Sequence, residues 1–137
     1  MSKVYVRPYI RKTPFSKSTD MPYYDSMMKN PEYFKRNKGV TYKIKYMSPD
    51  EYLDKCYEIH RQRYIEMGKT PPTKEQYMRF AIEESLAKKY ADLMKKGEKF
   101  PIPVLDYNIM NQEGRHRAYA AKLLGVKEIP VLVVKKC

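Results

Sequence analysis
At 137 residues the chain is one domain by length, with enough residues to bury a real core. Its formal net charge of +12 and pI near 9.6 point to a polyanionic partner, with nucleic acid first and an acidic protein or membrane surface behind it. No apolar run is long enough to span a bilayer and no apolar segment follows Lys3 and Arg7 as in a secretory signal, while Cys56 and Cys137 alone argue against a disulfide framework or a metal set, so a cytoplasmic protein with no membrane partner is expected.

Residues 1–39 read as an extended, basic, tyrosine-rich arm. Nine Lys and Arg, among them Arg7, Arg11, Lys12, Lys17, Lys35, Arg36 and Lys38, face only Asp20, Asp25 and Glu32. Pro8, Pro14, Pro22 and Pro31 interrupt any long helix. Residues 4–6 can form a short strand, and residues 30–34 a helical turn capped by Asn30. Two roles stay open: a nucleic-acid tail, or a segment packed on the core through Tyr5, Tyr9, Tyr23, Tyr24, Tyr33 and Phe34.

Residues 40–137 read as the folded domain. Val40, Tyr42, Ile44 and Tyr46 alternate with Thr41, Lys43 and Lys45, the period of a half-buried strand. Ser48, Pro49 and Glu51 then signal a capped helix start, and Gly68 its stop near residue 66. On that helix Leu53, Cys56, Tyr57, His60 and Tyr64 share a face. Cys56 and His60 are spaced as metal ligands or as a nucleophile and base would be. With no third ligand nearby, they read as a core cysteine beside a half-buried histidine. Thr73 and Gln76 repeat the capping pattern. Met78, Ile82, Leu86, Tyr90 and Leu93 or Met94 form an apolar stripe that closes at Gly97, with a break admitted near Glu83. Residues 102–105 read as a strand kept off the sheet centre at its start by Pro101 and Pro103. A short turn or hairpin leads to Asn111, an alanine-rich helix runs from Arg115 to a stop at Gly125, and residues 130–134 form a strand buried on both faces.

The densest polar cluster, residues 111–117, thus falls at a helix start between two strands. A helix N-terminus offers unpaired N–H groups and the positive end of its dipole. Gln112, Gly114, Arg115, His116 and Arg117 there make a phosphate seat, with Gly114 supplying a positive φ or a close backbone approach. The plainer alternative is a solvated basic helix start. Glu113 is the motif's carboxylate and Asp106 the second one nearby. Glu113 can take a proton, hold a metal or brace an arginine, and His116 is the other candidate for proton transfer. A nucleoside triphosphate or diphosphate with Mg would need only Glu113 or Asp106 from the protein.

Glu113-Gly114-Arg115-His116-Arg117-Ala118, then Ala120-Ala121, Leu124-Gly125 and Ile129-Pro130-Val131, resembles the core of the ParB/sulfiredoxin-like superfamily. Residues 83–103 extend the likeness upstream. The resemblance implies an α/β (α+β) domain, a short mixed sheet packed by helices, without the ParB helix-turn-helix. Arg115 stands where sulfiredoxins have a catalytic cysteine, which argues against sulfinic acid reduction. Glu113, Arg115, Arg117 and Ala118 match the box that binds CTP triphosphate in ParB proteins. Three functions follow as expectations: a DNA-associated module binding a nucleotide or nucleic-acid phosphate, a nuclease or kinase-like phosphotransferase, or a phage or plasmid-type adaptor for a host protein.

Overall fold
The computed structural model describes residues 23–25 and 39–136. The arm cations, the strand expected over 4–6 and the turn expected over 30–34 lie outside them.

Alternation builds the first long strand. After β1 (Tyr24–Asp25), β2 (Val40–Met47) turns Val40, Tyr42 and Ile44 toward the core and Thr41, Lys43 and Lys45 to solvent. Tyr46 breaks the pattern at 48% exposure, and Met47 is buried instead. The Ser48 hydroxyl accepts from the Glu51 N–H, and Pro49 opens α1 (Pro49–Glu66). The buried face of α1 is Tyr52, Leu53, Cys56 and Ile59, one strip over from the expected stripe. Tyr57, His60 and Tyr64 are half-buried, and the His60 ring packs at a tilt against Tyr64, Tyr77 and Phe80.

A full capping box at Thr73 and Gln76 starts α2 (Lys74–Ala81). The chain extends at Ile82 and Glu83 and helix resumes as α3 (Glu84–Lys95). The break falls where expected; Ile82 and Met94 of the expected stripe are buried, Met78, Leu86, Tyr90 and Leu93 are half-buried, and Tyr77, Ala81, Ala87 and Ala91 are buried beside them. Alanines there let α3 lie close to α4 (Arg115–Leu123), itself buried through Ala118, Ala120 and Ala121.

Two sheets carry the strands. β1 pairs in parallel with β3 (Phe100–Pro101). The other sheet is mixed, in the order β2-β6-β4-β5, with β4 (Val104–Asp106), β5 (Asn111–Glu113) and β6 (Ile129–Lys136). β6 runs antiparallel to β2 and parallel to β4, while β4 and β5 form a hairpin. The prolines divide the strand expected over 102–105: residues 100–101 join β1, and ladder pairing with β6 begins only at Val104. β6 is buried from Ile129 to Val134, as an all-apolar central strand should be. The domain is therefore of the α/β class, with four helices and a four-stranded mixed sheet among the described residues. No helix among the described residues is long and apolar enough to cross a membrane.

Candidate functional site
β5 delivers Glu113, and Gly114 turns the chain into α4. Gly114 has φ +115°, and an added Cβ would lie 2.8 Å from the Pro103 Cα and 2.9 Å from Arg117 Nη2. Both the turn and the close approach require glycine. No side chain caps the N-terminus of α4, so the first-turn N–H groups of Arg115, His116 and Arg117 carry its positive end.

The side chains of the motif divide sharply. Arg117 folds back under the loop with its side chain 11% exposed. Its Nε donates to the Pro101 carbonyl at 2.7 Å and its Nη2 to that of Ile102 at 3.2 Å. Nη1 and Nη2 grip the Glu113 carboxylate at 2.7 and 2.6 Å. Four of its five N–H donors are thus used within the fold. Sequence assigns Arg117 to a ligand; in the structure it braces the motif through the Pro101 and Ile102 carbonyls and the Glu113 carboxylate. The bidentate hydrogen bond from Arg117 holds the Glu113 carboxyl below its ordinary pKa. Burial alone disfavours the Arg117 cation, but the Glu113 carboxylate outweighs it and raises the pKa.

His116 faces the α2–α3 break. Its Nε2 accepts the Glu83 N–H at 2.9 Å, which requires a neutral ring protonated on Nδ1. Burial, then Arg115, lowers its pKa. Arg115 reaches the same break from the other side, its Nε donating to the Ala81 carbonyl at 2.5 Å. Among the described residues nothing takes its two terminal nitrogens. Gln112 points away from the helix start, its Oε1 accepting a weak bond from Cys56 Sγ at 3.7 Å.

Both carboxylates are engaged within the fold. Both Glu113 oxygens face Arg117. Asp106 is 1% exposed, and its Oδ1 accepts from the N–H groups of Asn108 and Ile109 across the hairpin turn. Among the described residues no three His, Cys, Asp or Glu side chains gather as metal ligands would. Cys56 is buried, with its thiol pushed up to about 12, chiefly by burial, which suits packing and not attack. His60 Nε2 is buried without a hydrogen-bond partner among the described residues.

Two tyrosines that motif reading passed over fasten this site. Tyr52 donates to the carbonyls of Glu113 at 3.0 Å and Val104 at 3.1 Å. Tyr24 donates to the Arg117 carbonyl at 2.8 Å. Tyr52 was legible in the spacing 49, 52, 53, 56, 59 along α1. Nothing local marks Tyr24, whose burial depends on the pairing of β1 with β3. No family model, curated protein or solved structure matches the chain.

Proposed function
We propose that the chain binds phosphate groups of a nucleic acid or nucleotide, with Arg115 and the uncapped N-terminus of α4 as the seat. The observation that carries this reading is the division of labour between the two arginines. Arg117 is consumed in holding the loop, whereas Arg115 is anchored by Nε alone and keeps both terminal nitrogens for a ligand. A guanidinium pre-positioned by one bond gives up less side-chain freedom when it binds an oxyanion in a fork. The net charge of +12 supplies the long-range attraction. The ParB/sulfiredoxin resemblance of the motif supports the same reading, with Arg115 as the ligand contact in place of Arg117.

The seat favours binding over catalysis. A carboxylate locked in a bidentate ion pair is a poor base, and His116 accepts a backbone hydrogen bond with the nitrogen it would need for proton transfer. An adaptor that docks on a host protein is the second reading, favoured by the inward engagement of Glu113, His116 and Arg117. The test is titration of pyrophosphate and of duplex DNA against wild type, Arg115→Gln and Arg115→Lys. The seat predicts at least tenfold weaker binding by the Gln variant and partial retention by Lys. Equal affinity in all three would refute the seat, and no binding to any phosphate ligand would favour the adaptor.

A further inference from the structure
We infer that Phe80 is a stacking platform for an unpaired nucleobase whose phosphate sits at Arg115, so that the ligand is a nucleotide outside a duplex. The inference rests on the phosphate-seat reading and adds a base contact that the seat does not include. Phe80 lies on the last turn of α2 and, at 60% exposure, is the most exposed large apolar side chain among the described residues. Its ring meets Tyr77 nearly edge-on, with centroids 5.5 Å apart, and lies 5.6 Å from the His60 ring. His60 in turn packs on Tyr64 at 4.7 Å and on Tyr77 at 4.9 Å.

A lone exposed apolar side chain is ordinary. Phe80 differs in having rings behind it and a cation beside it. Packing between α1 and α2 does not need it, because Tyr77, 3% exposed, already fills that interface. A ring left mostly in water gains little from burial. The cluster is also not optimised for packing alone. His60 Nε2 is buried in it without a partner, where an apolar ring would leave no unmet hydrogen bond.

Arg115 decides what the platform can take. Its Nε donates to the carbonyl of Ala81, the residue after Phe80, and adjacent Cα atoms are only about 3.8 Å apart. The guanidinium also acts on the two rings that Phe80 touches. Burial, then Arg63 and Arg115, lower the His60 pKa, and Arg115 works against the burial that raises that of Tyr77. The cation therefore lies beside the cluster, with both terminal nitrogens left for a ligand. A flat π-face next to a forked cation matches a base and a neighbouring phosphate. Paired bases keep their faces inside the stack, so a duplex can reach the seat but not the platform. A phosphorylated aromatic side chain of a peptide offers the same two groups, but the net charge of +12 favours a ligand with many phosphates.

The experiment titrates the full chain with a short single-stranded oligonucleotide, the same strand without bases, the matching duplex and pyrophosphate. Phe80→Ala should bind the single strand about 5- to 150-fold more weakly than wild type, the range of one lost stack. Its affinity for the abasic strand and for pyrophosphate should not change, which also shows that the variant is folded. Arg115→Gln should lose pyrophosphate, so the platform and the seat fail separately. Phe80→Trp should keep strand binding. Because the chain has no tryptophan, the introduced indole reports alone: its fluorescence should be quenched by the single strand and not by pyrophosphate or the abasic strand. Unchanged strand affinity in Phe80→Ala, or an indole indifferent to the strand, overturns the platform and leaves the seat standing. No pyrophosphate binding by wild type overturns the seat and the inference with it. An equal loss on the duplex overturns the unpaired base, and tighter, Phe80-dependent binding of a phosphotyrosine peptide overturns the nucleotide. Adenosine diphosphate bound as tightly as the strand assigns the site to a free nucleotide, and a tighter strand assigns it to single-stranded nucleic acid.

Discussion

Replacing Arg117 by alanine should damage the fold and not merely a binding site. The change removes the donors to the Pro101 and Ile102 carbonyls and leaves the Glu113 carboxylate without its partner. Each carbonyl loses a charge-assisted bond worth about 1.5 kcal/mol or more. The ion pair is discounted, because the Glu113 side chain is 66% exposed and returns to water; it contributes at most about 1 kcal/mol. The total is about 4 kcal/mol, a large part of a typical domain's stability. For a domain of this size that corresponds to a melting temperature roughly 15 °C lower. Urea unfolding followed by circular dichroism gives the free energy, and Glu113→Gln should cost only about 1 kcal/mol in the same assay. Should Arg117→Ala unfold within about 1 kcal/mol of wild type, the brace is wrong and Arg117 returns to the list of ligand contacts.

Other outcomes follow from the same contacts. His116 has a lowered pKa and must stay neutral to accept from Glu83, so its stabilisation is complete above about pH 6.5 and is lost as pH falls through the folded value. The stability gap between wild type and His116→Ala, about 1 kcal/mol at pH 8, should therefore shrink by pH 5, and a constant gap counts against the bond. Glu113 titrates below that window, because its pKa is depressed from 4.5. Gly114→Val should cost about 3 kcal/mol or more, since φ +115° and contact with the Pro103 backbone act together; thermal melting near wild type would show that the turn can relax. Tyr52→Phe should lose about 1–2 kcal/mol by leaving the Glu113 and Val104 carbonyls without their shared donor, as read by urea midpoint at constant slope.

Local chemistry was legible in the sequence. Ser48 with Pro49 and Thr73 with Gln76 announce helix starts because their side chains satisfy N–H groups a few residues away. β2 and β6 follow from alternation and from an unbroken apolar run. Gly114 is readable because a glycine in a polar turn marks a positive φ or a close backbone approach, and it has both. The roles of the two arginines were not legible. Both lie on the first turn of α4, and only the three-dimensional course of residues 100–103 brings two carbonyls under Arg117 while the α2–α3 break meets Arg115. Asp106 looked available as a ligand because its turn partners are backbone N–H groups, which residue types do not reveal. Tyr24 shows that part of the arm packs on the core, since it is fully buried against the Arg117 carbonyl.

The central claim is that phosphate sits at Arg115 on the N-terminus of α4. Nitrogen-15 labelled protein titrated with pyrophosphate, and read by amide chemical shifts, tests it most directly. The account predicts that the largest, saturable shifts fall on the amides of Arg115, His116 and Arg117 and on the Arg115 side-chain Nε–H. Saturable binding that leaves those signals in place and moves others would contradict it.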